Sequence, residues 1–186
     1  MILPFLAKWV KILNFNIKFV LKLIFNLIIL VDFLLLIETI QGYTKHEIDR
    51  GLTPLNVYTI CSCIRESFCL SYSIRKENNL LLFSYEKLHL IKFQGDKLRF
   101  LGSDERSQAL LLNKALQLVN QQNISERWTK STPGIFVRKF ENMPKFITFI
   151  TQNYRNHLFI LNDYIKGDIS LDYIKLNDLK DLNLIR

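Results

Sequence analysis

The stretch from Lys18 to Ile40, KFVLKLIFNLIILVDFLLLIETI, constrains this chain more than any other, because so apolar a run must be buried in protein or in lipid. It is notched by Lys22, Asn26, Asp32 and Glu38. On a helix, at 100° per residue, Lys8, Lys11, Asn14, Lys18, Lys22, Asn26 and Asp32 fall within an arc of roughly 120° and leave the rest apolar. No glycine or proline interrupts residues 5 to 41. The pattern predicts one helix of about 35 residues, roughly 50 Å long.

Three environments suit such a helix. A lone span places Asp32 in hydrocarbon, which costs about 2.5 to 3.5 kcal/mol on insertion scales. An in-plane helix leaves the segment from Leu23 to Ile37 too apolar for its surroundings. A span packed against other helices, with Lys18, Lys22, Asn26 and Asp32 as the contact stripe, satisfies both facts; a buried helix of a soluble assembly is the alternative. The run is too long for a signal peptide, and ETIQGY offers no cleavage site. Codon-driven richness in Leu, Ile, Lys, Asn and Phe adds a leaning toward an AT-rich genome, such as that of a plastid or mitochondrion, and so toward an organellar membrane location.

Beyond Gly42 the texture is that of a globular domain, so the chain divides into an N-terminal helix at residues 1–42 and an α+β domain at 43–186. Thr44 and Glu47 have capping-box spacing, and Gly51 follows as a stop. Thr53 and Pro54 then open a second helix. Residues 69–101 alternate apolar and polar positions around KENN, YEK and QGD, which predicts a four-stranded antiparallel meander. Ser103 is placed to cap a helix over about 103–121 that covers the sheet. A strand is expected from Ile135 to Phe140, a helix or strand after Pro144, and a terminal helix over 170–184. The expected fold class is thus α+β: a long hydrophobic helix followed by a meander covered by helices.

Signatures of chemistry are sparse. Cys61, Cys63 and Cys69 form C-x-C-x5-C, one thiolate short of the usual four-ligand site, and the three histidines stand far off in sequence. No nucleophile elbow, phosphate loop or paired C-x-x-C is present. The expectation is therefore a non-enzyme with no cofactor, metal or small-molecule substrate.

The formal charge is +8, from 25 Lys+Arg against 17 Asp+Glu, which favours anionic partners. Arg127, Trp128, Lys130, Arg138 and Lys139 interleave cations with aromatic rings, and this segment is the candidate contact for phosphates, whether of RNA or of lipid head groups. The layout predicts a noncatalytic, membrane-tethered accessory subunit or assembly factor whose partners are other membrane subunits. A basic RNA-binding or ribosome-associated protein is the second reading.

Overall fold

The computed structural model describes residues 31–120, 126–154 and 158–162. An interior strand of its sheet lies where a helix was expected. Val31–Ile37 forms β1, parallel to β2 (Asn78–Ser84) on one side and to β6 (Leu158–Asn162) on the other. Antiparallel pairing then adds β3 (His89–Gln94), β5 (Ile135–Lys139) and β4 (Thr129–Thr132), giving one mixed sheet in the order β4-β5-β3-β2-β1-β6.

β1 is apolar without a period because both of its faces are covered. Leu35 and Ile37 are buried in the core shared with α1 (Lys45–Asp49), α2 (Leu55–Phe68) and α3 (Glu105–Val119). Leu34 and Leu36 enter a second core beneath α4 (Met143–Asn153). A strand buried on both faces reads as a continuous hydrophobic run, and such a run mimics a helix when one only counts apolar residues. The expected long membrane helix is therefore corrected over residues 31–37. Among the described residues no helix is long and apolar enough to cross a membrane. Lys18, Lys22 and Asn26, the rest of the expected stripe, lie outside the described residues, as does the terminal helix expected over 170–184.

The crossover from β1 to its parallel neighbour β2 runs through α1 and α2. Thr44 and Glu47 do close a capping box, with the Thr44 amide donating to Glu47 Oε2 at 2.7 Å and the Glu47 amide donating to Thr44 Oγ1 at 3.2 Å. α2 starts after Pro54 and buries Val57, Ile60, Cys61, Ile64 and Phe68, the spacing of a single helical face. Asp104, rather than Ser103, caps α3, accepting from the Ser107 amide at 2.8 Å.

The four-stranded meander is also corrected. Residues 69–101 supply only β2 and β3, with a single bridge between Cys69 and Ile74. After β3 a short 3-10 turn, Gly95–Lys97, carries the chain out of the sheet, and Phe100 adopts a positive φ of 64° before α3 begins. The place beside β3 is taken by β5, whose partner β4 follows α3 in sequence. Both pack against α3 through alternate residues, Ile135 and Val137 being wholly buried in that core.

The second face is organised by α4. Asn142 caps it, accepting from the Lys145 amide at 3.0 Å, and Pro144 occupies its first turn. Phe146 stacks on Phe83 of β2 with ring centroids 3.5 Å apart, and Phe140 meets both rings edge-on. α4 thereby covers β1, β2 and the end of β3, while the outer strands on this face project side chains beside the helix.

Candidate functional site

Side chains alternate along β5, so with Ile135 and Val137 buried against α3, Phe136 and Arg138 stand on the α4 face. Arg138 lies beside the helix. Its guanidinium carbon is 4.2 Å from the Phe149 ring centroid and 4.8 Å from that of Phe140. Trp128 closes on Phe149 edge-to-face at 6.0 Å and remains 36% exposed. The Arg138 Nε is buried and has no hydrogen-bond acceptor among the described residues, and within them the side chain is held by ring faces instead of an ion pair. Burial lowers its pKa, and the charges of Glu126 and Tyr154 oppose that effect.

Arg138, Phe140 and Phe149 line an open groove of about 360 Å³ between β5 and α4, completed by Glu126, Pro144, Lys145, Thr148 and Gln152. Lys145 pairs with Glu126 at 3.0 Å and with Glu141. Both carboxylates hold its ammonium above the ordinary lysine pKa through hydrogen bonds. Within a cleft rimmed by aromatic rings, two cations and hydroxyl or amide groups, planar groups stack and anionic groups find donors.

Further along the same face lies a part-buried polar set. Asn79 donates to Asp32 Oδ1 at 2.8 Å, and Lys92 Nζ donates to the Tyr154 hydroxyl at 3.4 Å, with its ammonium 5.6 Å from that ring. Burial raises the Asp32 pKa against the Asn79 hydrogen bond and the Lys92 charge, and burial lowers the Lys92 pKa against the Asp32 charge. Burial and the Asp32 charge raise that of Tyr154. Asp32 is thus part of a strand-bound polar network here.

Of the segment singled out in the sequence, the structure brings Trp128 and Arg138 together beside the groove and puts Lys130 in register with Phe136 on the same face. Arg127 is exposed before β4. Lys139 belongs to the other face, paired in register with His89. Sequence reasoning missed Phe149, Lys145 and Gln152, which α4 brings to the groove. Their signal was available, since Phe149 lies one helical turn from Phe146 on a helix whose buried positions are Phe146 and Ile150.

A second recess, with room of only about 40 Å³, lies at the carboxyl end of β2 between Ile40, Gly42, Ser84, Lys87, His89, Ile91, Leu116 and Asn120. The three cysteines are free thiols; burial pushes Cys61 up to about 12, which leaves it protonated and inert.

A family described as "Putative SAM-dependent RNA methyltransferase" matches residues 50–170. The tRNA (pseudouridine(54)-N(1))-methyltransferase of Methanosarcina acetivorans is 32% identical over 126 residues, which cover 57% of this chain and 58% of the relative. The enzyme of the same name from Methanocaldococcus jannaschii is 34% identical over 91 residues, 45% of this chain and 44% of that protein. A third, from Haloferax volcanii, is 32% identical over 101 residues, with 54% and 49% covered. The chain spans about half the length of the curated relatives it matches.

Proposed function

Because the chain belongs to this family of SAM-dependent RNA methyltransferases, we propose that it acts on tRNA in the methylation of a pseudouridine at N1, and that the β5–α4 groove is where the RNA is held. Membership overturns the expectation of a noncatalytic accessory subunit. It also corrects the expected partners, since a membrane subunit or lipid head group gives way to RNA, and an enzyme of this family takes a small molecule, SAM. The membrane location rested on the long helix and loses its basis once Val31–Ile37 is a strand within the sheet.

The observation that carries the RNA reading is the Trp128–Phe149–Arg138–Phe140 stack beside an open groove. It unites the exposed Trp128 ring and the half-buried Phe149 ring with a guanidinium that meets no carboxylate among the described residues. Pseudouridine is a fitting target for N1 chemistry. Its carbon–carbon glycosidic bond leaves N1 with a proton to exchange for a methyl group, whereas N1 of uridine is bonded to the sugar.

The described residues do not form a site that fits SAM. The larger groove presents Arg138 to a cofactor that itself carries a sulfonium, and its lining carboxylate, Glu126, is already paired with Lys145. Open α/β sheets bind ligands beyond the carboxyl ends of their parallel strands, but there the recess beside Ser84 and His89 holds little more than a water. Its backbone is also committed: the Tyr85 amide donates to the Ile37 carbonyl, the Glu86 amide to that of Glu38, and Ser84 Oγ to the same Glu38 carbonyl. The transfer step is accordingly assigned to none of these residues, whose part is to bind and orient RNA.

The test incubates the full chain with methyl-labelled SAM and tRNA transcripts carrying either pseudouridine or uridine, followed by nucleoside analysis. Label is expected at N1 of pseudouridine alone. Binding is read separately by salt titration, where Arg138→Gln lowers the slope of log affinity against log salt by about one. Binding without label removes the transfer from this chain, and absence of salt-sensitive binding overturns the RNA reading altogether.

A further inference from the structure

Resting on the reading of this chain as one that acts on RNA, we infer that the open part of the sheet centred on Phe136 is a seat for the base of one unpaired nucleotide, separate from the β5–α4 groove. Phe136 lies on the α4 face of β5 but belongs to neither hydrophobic core and is half-buried. Register sets Lys92 of β3 on one side of it and Lys130 of β4 on the other. Lys97, from the turn after β3, places its ammonium 6.0 Å from the ring centroid. One aromatic ring therefore has a lysine in register on each neighbouring strand and a third ammonium over it, and Lys97 and Lys130 are exposed.

Lys92 differs from the other two because it is fixed. The Tyr154 hydroxyl and ring hold it, and Asp32 and Asp96 act on its charge. That leaves Lys97 and Lys130 as the exposed cations able to meet a phosphate. A lone ring flanked in this way matches a nucleotide whose base is out of its helix, because a base inside a duplex already has both faces stacked on its neighbours. Lysines on either side of the ring then meet the phosphates before and after that base, so charge and shape point to the same occupant: single-stranded RNA, such as the loop of a tRNA.

The experiment measures binding of the full chain to a fluorescently labelled single-stranded RNA without SAM. Phe136→Leu, with its fold checked by circular dichroism, is expected to weaken binding about 5- to 150-fold, the range for loss of one base–aromatic stack. Phe136→Tyr keeps the ring and is expected to keep the affinity. Lys97→Gln is expected to lower the salt slope by about one. Should Phe136→Leu fail to fold, photocrosslinking of the unaltered chain to RNA containing 4-thiouridine decides, with an adduct expected on the peptide that contains Phe136. A folded Phe136→Leu protein that binds as the parent does, an adduct found only elsewhere, or a duplex competing as well as the single strand overturns the seat. Methylation of tRNA that proceeds independently of Phe136 removes the seat and leaves the activity. Phe136-dependent binding without methylation does the reverse.

Discussion

Two glycines share a backbone conformation and differ in what surrounds them, which makes them a matched test of how the β4–β5 hairpin is held. Gly134 has φ +82° and Gly51 has φ +71°, both in the left-handed region. A β-carbon added at Gly51 meets nothing within 4 Å. At Gly134 it lands 2.4 Å from the Leu98 nitrogen and 2.5 Å from Leu98 Cα, both backbone atoms that no rotamer change can clear. Alanine at either site bears the left-handed penalty of roughly 1–2 kcal/mol. At Gly134 the overlap adds about 1–3 kcal/mol, for a total of about 2–5 kcal/mol. With a urea slope of about 1–3 kcal/mol/M, Gly134→Ala is expected to unfold at a midpoint on the order of 1 M below that of Gly51→Ala. Far-ultraviolet circular dichroism in urea reads both. The contact has a functional side as well, because this turn seats the hairpin that carries Lys130, Phe136 and Arg138. The Gln94 amide donates to the Gly134 carbonyl at 2.8 Å and the Arg99 amide to that of Pro133 at 3.3 Å. At a temperature where both variants are folded, Gly134→Ala should also bind RNA more weakly. Coincident midpoints would refute the argument, since they would mean that the hairpin yields freely and Leu98 does not hold it.

Phe146→Ala removes a wholly buried ring stacked on Phe83 and is expected to cost about 3–5 kcal/mol, read in the same urea experiment. Tyr43→Phe loses the buried bond from its hydroxyl to the Ala109 carbonyl, 2.7 Å long, and should cost about 1–3 kcal/mol with little change in fold. His89 gives a pH prediction. Burial, helped by Lys139 and Lys87, lowers its pKa from the ordinary 6.5 to about 4. The unfolded chain therefore takes up a proton below about pH 6.5 that the folded chain refuses until about pH 4, and stability falls as pH drops through that window. His89→Gln should flatten the loss between those limits, and an unaltered pH profile of thermal stability would rule the effect out.

How much was legible follows from the range of the forces involved. The Thr44–Glu47 box and the strand from Ile135 are written in a few adjacent residues, because a cap or a turn is satisfied by groups close in sequence. The β1 strand had no such local mark. VDFLLLI has no period that separates strand from helix, and only the two layers that cover it, with β2 and β6 alongside, show which it is. The meander failed for the same reason, as the neighbour of β3 lies beyond α3 in the chain. The candidate site divides likewise. The interleaved Trp128, Lys130 and Arg138 were visible as a basic aromatic segment, and strand alternation alone separates Arg138 from Lys139 once β5 is placed. The groove was not visible, since Phe149 and Lys145 come from a helix that packs over other strands.

By itself the sequence determined the Thr44–Glu47 capping box, the charge of +8, and the cations and rings grouped near β5. Tertiary structure decided that the oily run ends in an interior strand and that Arg138 is clasped by Phe140 and Phe149. The reason is physical: hydrogen bonds that start a helix reach a few residues, while burial on two faces and the meeting of rings from separate elements exist only after the whole sheet has assembled.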